Sequence, residues 1–218
     1  LLQYQSADVS NVKTAIDVAD SSTNKWAQLP PDDRAEMLFD AADLLRDSIT
    51  DIATIEALET GRQLDDARTH TLSEAVGLLE YYAEIADEQS DEIENSLSES
   101  DTANPVGRLE PYGVVGAIAS ANGQLSHIGS KLAPALAAGN TVVYKTSRNA
   151  TLAARAAVCV IDQALPDGVV NLVPGSAEAT EAILTEQTVR KVSHTGSIET
   201  GKEIMKVGAE TVTDIHLA

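Results

Sequence analysis

Short apolar segments in the second half of the chain are each followed by residues whose types could do chemistry. The first segment, residues 114–119, leads into an uncharged loop that begins Ser120, Ala121, Asn122. This loop does not contain the G-x-G-x-x-G spacing with which many dinucleotide-binding proteins approach a pyrophosphate. The usual dinucleotide fingerprint is therefore absent after the first segment.

Two cations follow the second apolar segment, residues 141–145. The segment ends at Lys145, and Arg148 lies three residues further along the chain. At the end of a strand these side chains could bind ribose or phosphate oxygens. Their spacing is equally compatible with a solvated turn before a helix, so both interpretations stay open at this point.

Glycine-containing turns follow the third and fourth segments. The third leads into a tight turn at Gly175, and the fourth into the stretch GSIETGKE that begins at Gly196. This stretch nearly matches the P-loop pattern G-x-x-x-x-G-K-[ST], but Glu203 stands where a hydroxyl must coordinate Mg²⁺, which argues against ATP or GTP hydrolysis. What remains at Gly196 and Ser197 is a helix start whose free N–H groups can bind an anion.

The thiol and imidazole groups show no reactive or metal-binding pattern. Cys159 is the only cysteine and lies among apolar residues of a predicted helix, which is typical of a small core residue rather than a nucleophile. A single cysteine excludes an intramolecular disulfide and fits a cytoplasmic protein. No metal site is predicted, because metal-ligand spacing is absent among His70, His127, His194 and His216.

The loops must be positioned by the elements between them. From about residue 111 onwards, β-branched segments alternate with helical ones, which predicts an α/β fold with a parallel sheet covered by helices on both faces. Ligands bind at the carboxyl ends of the strands in such sheets. The predicted strands are residues 114–119, 141–145, 169–173 and 191–195, with helices ending near Ala138 and Leu165, starting at Ala177, and following the last strand.

The first 90 residues are predicted to be helical. Apolar residues at three- and four-residue intervals predict a helix over Asp8–Ala19 and, after a loop through residues 21–29, one long helix that is capped at Gly61. A third helix covers about residues 72–85. The polar, acidic residues 91–110 predict a linker or an exposed hairpin before the α/β region.

The chain of 218 residues has 34 acidic and 15 basic residues and a formal net charge of −19. Residues 1–110 hold 25 of the acids and 7 of the bases, whereas residues 111–218 hold 9 and 8. Such a surface repels phosphate backbones and anionic lipids, so neither a nucleic-acid partner nor a membrane partner is expected. No apolar run is long enough to span a bilayer. The acidic half predicts a halophilic source, with an acidic mesophilic protein as the alternative.

Several motifs closely resemble those of the aldehyde dehydrogenase superfamily. LEPYGVVGAIASANGQLSHIGSKLAPALAAGN, from Leu109 to Asn140, resembles the family's EPxGVVGxIxPWNFP, its following lysine and its APALAAGN. TVVYKTSRNATL, LPDGVVNLVPG and VRKVSHTGSIETG resemble three further family motifs, and WAQLPPDDRAEMLFDAADLL and LETGRQLDDA fit the family's leading helices. The resemblance covers nearly the whole chain. It implies a Rossmann-like domain that binds its cofactor without G-x-G-x-x-G.

The resemblance also implies a role for each loop. Asn122 matches the asparagine whose side-chain amide helps to bind the oxyanion. Lys145 matches the lysine that binds the adenine ribose, and Arg148 falls where a ribose-binding glutamate is common. Gly196 and Ser197 match the pair at a helix start that binds the pyrophosphate. The remaining cofactor-binding positions are Ser120, Ala121 and Gly175.

The chain departs from the family pattern beside these positions. His194 replaces a phenylalanine, and Ala177 and Glu181 replace glycines that usually follow Gly175. A less rigid Asn122 loop with a wider pocket is expected, because the family's proline, tryptophan, phenylalanine and proline are replaced by Ser120, Ala121, Gly123 and Gln124.

Two catalytic groups of the family have no counterpart in these residues. Ungapped counting from Thr195 places Ala218 on the general-base glutamate, and a slipped register places His216 there. The nucleophilic cysteine of the family belongs to a later domain, and Cys159 matches no catalytic position. We therefore expect the cofactor-binding part of an aldehyde dehydrogenase, truncated at both ends and inactive by itself.

The function implied for the parent protein is NAD(P)-dependent oxidation of an aldehyde to a carboxylic acid by a homodimer or homotetramer. Arginine at position 148 favours NADP over NAD, because its guanidinium donates to phosphate oxygens. Two alternatives stay open: a non-catalytic nucleotide-binding module, and an interaction protein that assembles through the helical half and the acidic segment.

Overall fold

The structure is a computed structural model that describes residues 5–98 and 110–218, with side chains described for residues 5–88 and 110–218. Its first part is helical, as predicted. The elements are α1 (Val9–Ala27), α2 (Pro31–Asp47), α3 (Ile49–Thr60), the short α4 (Leu64–Asp66) and, after π-helical turns over Ala67–Leu72, α5 (Ser73–Ser98). None of the described helices combines the length and apolar character needed to cross a membrane.

Helix α1 is longer than the sequence pattern predicts. It begins with a capping box in which the Asp8 carboxylate accepts from the Asn11 N–H (2.8 Å). The loop predicted through residues 21–29 is wrong, because the helix continues to Ala27. Trp26 holds this last turn in place: it is fully buried, and its Nε1 donates to the Leu136 carbonyl (3.1 Å).

The long helix predicted to end at Gly61 is two helices. The backbone leaves helical geometry at Ser48 (φ −92°, ψ 2°), so α2 packs against α5 while α3 turns to pack against a helix of the α/β region. The apolar stripe runs through both helices and therefore does not reveal the break. The predicted cap is confirmed, since Gly61 has φ 79° and its N–H donates to the Ala57 carbonyl (3.0 Å).

Helix α5 extends beyond the predicted third helix. It occupies residues 91–98, the first part of the segment for which a linker or exposed hairpin is predicted. No glycine or proline interrupts the chain between Gly77 and Pro105, and glutamate and glutamine are good helix formers, so nothing local ends the helix earlier. Residues 99–109 lie outside the described residues, and the rest of that prediction stays a prediction.

The second part is a five-stranded parallel sheet with the strand order β3-β2-β1-β4-β5. This confirms the Rossmann-like α/β fold preceded by a helical segment. The first four strands are the predicted ones within one or two residues, and only β5, with two apolar residues, is unpredicted. The elements are β1 (Val114–Ile118), α6 (Gln124–Ala137), β2 (Thr141–Lys145), α7 (Leu152–Ile161), β3 (Val170–Val173), α8 (Ala177–Thr185), β4 (Val189–His194), α9 (Ile198–Thr211) and β5 (Asp214–Leu217).

Helices cover both faces of the sheet, and the N-terminal helices contribute to each. On one face, apolar residues of α2 and α5 pack with those of α6 and α7 in the larger core cluster. On the other face, Val12 and Ile16 of α1 pack with residues of β1–β4, α8 and α9. The helical half and the sheet therefore share their buried surface, which leaves the carboxyl edge of the sheet as the place where loops converge.

Candidate functional site

The strand register brings the predicted loops together. Ile118 at the end of β1 pairs with Lys145 on one side and with His194 on the other. Neighbouring residues in a parallel ladder point to the same face, so these three side chains form one row. That face is the one covered by α8 and α9, because Val143 and Val192, two residues earlier on β2 and β4, belong to its core cluster. The row marks the carboxyl edge as the candidate site.

Lys145 can occupy this edge because Gly175, on the loop after β3, has no side chain. It is only 9% exposed. A Cβ at Gly175 would lie 2.2 Å from Lys145 Cε and 2.0 Å from the Thr146 carbonyl oxygen, so no larger residue fits without displacing Lys145. Burial, together with the charge of Arg148, lowers the pKa of Lys145. Gly175 therefore serves the site by making room for a buried cation.

The turn at Gly196 and Ser197 starts helix α9. Ser197 is its N-cap, and Ser197 Oγ accepts from the Thr200 N–H (3.2 Å). The helix dipole and the remaining free N–H groups make this turn an anion-binding position. A Cβ at Gly196 would lie 2.6 Å from His194 Cε1 and 2.7 Å from His194 Nε2, so the imidazole lies directly against the glycine.

His194 is a site residue that the sequence pattern did not single out as functional. It is 5% exposed, and neither Nδ1 nor Nε2 has a hydrogen-bond partner within the described residues. Burial lowers the pKa of His194, and the charges of Lys131 and Lys145 lower it further. The only signal in the sequence is its position, a polar residue at the end of an apolar strand where the family has phenylalanine.

Two further basic groups on α6 lie near the same edge. Lys131 is 5% exposed and its Nζ donates to Ser193 Oγ (2.9 Å) from the opposite face of the sheet; burial lowers its pKa to about 8. The pKa of His127 falls to about 4, chiefly through burial, with Lys131 and His194 adding to the shift and Glu74 opposing it. Lys131 and Lys145 therefore place positive charge at this edge of a strongly acidic chain, whereas burial favours the neutral form of both histidines.

The Asn122 loop is fastened by its own hydrogen bonds. Ser120 Oγ donates to the Asn122 carbonyl (2.9 Å), Gln124 Nε2 donates to the Ser120 carbonyl (2.7 Å), and Tyr144 Oη donates to the Gln124 carbonyl (2.9 Å). Gly123 has φ 77°, which glycine adopts without strain. Asn122 itself is exposed, so its amide faces solvent-accessible space at the end of β1. The flexibility and width expected for this loop stay predictions.

Arg148 lies in the exposed turn between β2 and α7. Its charge adds to the lowering of the pKa of Lys145 by burial. The pKa of Glu178, an exposed carboxyl in the first turn of α8, is lowered chiefly by hydrogen bonds from its own N–H and from Ser176, and also by the charge of Arg148. The guanidinium is therefore near both the buried lysine and the loop that follows β3. This position puts Arg148 on the rim of the candidate site.

Cys159 and two of the histidines lie elsewhere. The prediction that Cys159 is a core residue is wrong: it is exposed, because the buried stripe of α7 runs through Ala154, Ala157 and Val158 and leaves position 159 facing outward. His70 and His216 are both exposed, outside the row at the carboxyl edge. Among residues 5–88 and 110–218, no group of three or more His, Cys, Asp or Glu side chains is arranged to hold a metal ion.

The residues at the edge fit a dinucleotide. Gly175 leaves room for Lys145 and Gly196 leaves room for His194, and a buried lysine and a helix N-terminus supply positive potential for ribose and phosphate oxygens. His194 adds two buried ring nitrogens that lack partners in the described part of the chain. Each of these features suits a ligand with several anionic or hydroxyl oxygens.

Comparison with known proteins agrees with this geometry. The model of the aldehyde dehydrogenase family matches residues 1–218. Aldehyde dehydrogenase B of Escherichia coli K12 is 32% identical over an alignment of 219 residues, which covers 100% of this chain and 42% of that protein. The chain thus spans less than half the length of this curated relative.

Solved structures show the same partial coverage. The aldehyde dehydrogenase KauB from Pseudomonas aeruginosa superposes with a TM-score of 0.88 at 28% identity, over 100% of this chain and 44% of that one. The aldehyde dehydrogenase from Bacillus cereus, solved as an NAD⁺ complex, has a TM-score of 0.84 at 31% identity, over 97% and 43% of the two chains.

Proposed function

Because this chain belongs to the aldehyde dehydrogenase family, we propose that it is the cofactor-binding part of an enzyme that uses NAD(P)⁺ to oxidise an aldehyde to a carboxylic acid. The observation that carries the proposal is the burial of Lys145 next to Gly175, in the same row as His194, which lies two residues before the turn that starts α9. A lysine is rarely buried without a functional or structural partner. A dinucleotide supplies such a partner through its ribose and phosphate oxygens.

Each loop then has a defined task. Lys145 donates to ribose hydroxyls, and the remaining free N–H groups of the first turn of α9, next to Gly196 and Ser197, bind the pyrophosphate. Ser120 and Ala121, at the end of β1, border the cofactor, while the Asn122 amide donates to the oxyanion that forms when the aldehyde is attacked. The bound nicotinamide supplies the chemistry of hydride acceptance.

The isolated chain is expected to bind nucleotide without oxidising aldehydes. The nucleophilic cysteine and the general-base carboxylate each carry a distinct chemical step, and no residue here matches either position. Calorimetric titration with NAD⁺ tests binding. The absorbance of reduced nicotinamide, measured with several aldehydes, tests turnover. Turnover that disappears in Cys159→Ser would contradict this assignment, and absence of nucleotide binding would favour a purely structural module.

We propose that Arg148 gives the site a preference for NADP⁺. Its guanidinium lies on the rim beside Lys145 and can pair with a 2′-phosphate, which a glutamate at this position would repel. One charge-assisted hydrogen bond contributes roughly 1–3 kcal/mol, so NADP⁺ should bind about 5- to 150-fold more tightly than NAD⁺. Arg148→Glu should reverse the preference at fixed salt. Arg155→Glu, at an exposed position on α7, is the matched control, and equal affinities of the wild-type chain for both nucleotides would exclude the contact.

We further propose a halophilic, cytoplasmic parent enzyme that assembles as a homodimer or homotetramer. The excess of acid in the helical half supports work at high ionic strength, because screening relieves the repulsion between like charges. The fastest test of the parent is a mass measurement in molar salt by light scattering. A monomer at all protein concentrations would contradict the oligomer.

A further inference from the structure

His194 is the polar side chain at the site that the proposed cofactor contacts do not use. Its ring is buried beneath the start of α9, against the α-carbon of Gly196, and both of its nitrogens lack partners within residues 5–88 and 110–218. A buried hydrogen-bonding group left unsatisfied costs about 1–3 kcal/mol. The arrangement therefore favours any ligand that offers an acceptor to this ring.

The groups around His194 define what that ligand must be. Lys145 lies in the same row on β2, Lys131 lies across the sheet on α6, and His194 adds to the lowering of the pKa of His127 on the same helix. On the β5 side the register partner is the uncharged Leu217, and the next residue, Ala218, donates to the His194 carbonyl and accepts from the Gly196 N–H (3.3 Å). On the α9 side the neighbour is the positive end of the helix, whose first turn also carries the exposed Glu199. No carboxylate forms an ion pair with Lys131, Lys145 or His194 among the described side chains. The two charges that shift the pKa of His194, those of Lys131 and Lys145, are positive, so the ligand that fits beside the ring is an anion.

We propose that His194 is a further phosphate-binding residue: on cofactor binding, its imidazole turns from beneath Gly196, takes up a proton from solvent and donates an N–H to a pyrophosphate oxygen held at the start of α9. The inference rests on the proposed function, because it needs the nucleotide to bind at this turn. Glycine at position 196 leaves only backbone between the ring and the phosphate side of the turn. The phosphate oxygen then satisfies one of the two buried nitrogens.

The direction of the pH effect follows from the charges. In the free chain burial and the two lysines hold the pKa of His194 below 6.5, so the ring is neutral near pH 7. A bound phosphate raises that pKa because it stabilises the imidazolium. Between the two pKa values binding takes up a proton, and affinity therefore rises as the pH falls. NAD⁺ is the suitable probe, because the 2′-phosphate of NADP⁺ itself titrates near pH 6.

Isothermal titration of NAD⁺ into the 218-residue chain, in two buffers with different ionisation enthalpies, measures the protons taken up. The titrations should run from pH 6 to pH 8 at fixed molar salt. The variants are His194→Gln, which keeps a neutral amide, and His194→Phe, which carries the residue of the family; circular dichroism checks their folding. His70→Gln, at an exposed position in the helical half, is the matched control, and adenosine is the ligand without phosphate.

We expect the wild-type chain and His70→Gln to take up a measurable fraction of a proton near pH 6.5 and to bind NAD⁺ about 3- to 10-fold more tightly at pH 6 than at pH 8, which is within the tenfold per pH unit that the uptake of one proton allows. Both His194 variants should bind NAD⁺ with no proton uptake and a flat pH profile, and adenosine should bind without proton uptake to every chain. NAD⁺ binding with the same proton uptake in His194→Gln would overturn the inference while leaving the proposed function intact. No NAD⁺ binding to the folded wild-type chain would overturn both.

Discussion

The helices before residue 98 and the sheet after residue 110 handle charge in opposite ways. In the helical half the acids greatly outnumber the bases and most lie on the surface. Glu56 is an exception: it is 2% exposed, its pKa is raised by burial, and it accepts from Thr71 Oγ1 (2.8 Å). In the sheet the acids and bases nearly balance, but two lysines are buried at the carboxyl edge. Negative charge thus covers the outside of the molecule, and positive charge concentrates where an anion would bind.

The two regions are nevertheless one packing unit. Apolar residues of α2 and α5 are in the same core cluster as those of α6 and α7, and α1 lies on the opposite face of the sheet. Glu59 of α3 also joins them, since its carboxylate accepts from the backbone N–H groups that begin α7. The difference in charge therefore does not mark two independently folded bodies, and experiments can separate the regions only through their charges and local contacts.

Salt should produce the largest difference between the regions. We expect the chain to lose most of its stability in dilute buffer and the helical half to loosen first, because repulsion among its acids is then unscreened. Hydrogen exchange should rise in α2, α3 and α5 before it rises in the strands, and the thermal midpoint should climb toward molar salt. Sucrose at matched osmolality is the control, because it stabilises without screening. A midpoint that does not move with salt would remove the halophile argument.

A glycine-to-alanine substitution should have opposite effects on stability at the candidate site and in the helical half. Gly175→Ala forces a Cβ to within 2.2 Å of Lys145 and should cost about 1–3 kcal/mol of unfolding free energy, with at least about a tenfold loss of NAD⁺ affinity. Gly77→Ala on α5 meets nothing within 4 Å and should stabilise the chain by about 0.5–1 kcal/mol. Chemical denaturation and calorimetry measure both effects. Equal behaviour of the two variants would show that Gly175 is not crowded by Lys145.

Glu59 tests the contact between the regions. Its carboxylate accepts from the N–H groups of Thr151 (2.7 Å), Leu152 (2.9 Å) and Ala153 (3.1 Å), so it caps α7 from another helix. Glu59→Ala leaves these donors without their acceptor and should cost about 2 kcal/mol. Glu36→Ala, at an exposed position on α2, should stay within about 0.5 kcal/mol of the wild-type chain in the same urea titration. A loss no larger than that of Glu36→Ala would mean that water caps α7 equally well.

The smallest effect should come from the titration of His127. In the folded chain the pKa of His127 is about 4, which is below the ordinary histidine value of 6.5. As the pH falls, the unfolded chain therefore binds the proton first. The unfolding free energy should therefore decrease between pH 6.5 and pH 4, by about 1 kcal/mol for this residue once its partial exposure is allowed for. His127→Gln should flatten that part of the profile, whereas the exposed His70→Gln should not. Parallel profiles for all three chains would show that His127 does not contribute.

Much of the fold is visible in the sequence because its signals are local. Runs of β-branched residues mark β1 to β4, three- and four-residue spacing marks the helices, and Gly61 marks a helix end. The predictions that are wrong concern packing between distant residues. Helix α1 continues because Trp26 is buried on α6, and the helix predicted to end at Gly61 breaks at Ser48, where the chain turns so that α2 packs chiefly on α5 and α3 chiefly on α7.

The candidate site divides in the same way. Sequence alone determined the acidic balance of the first half, the glycines of the turns, and the positions of Lys145, Gly175 and Gly196 at the ends of strands. Tertiary structure decided which of these residues meet, and it alone buried Lys131 and His194 and exposed Cys159. The physical reason is that spacing along the chain fixes the face of an element on which a residue lies. Burial, a shifted pKa and a missing hydrogen-bond partner depend on what another part of the chain places against that face.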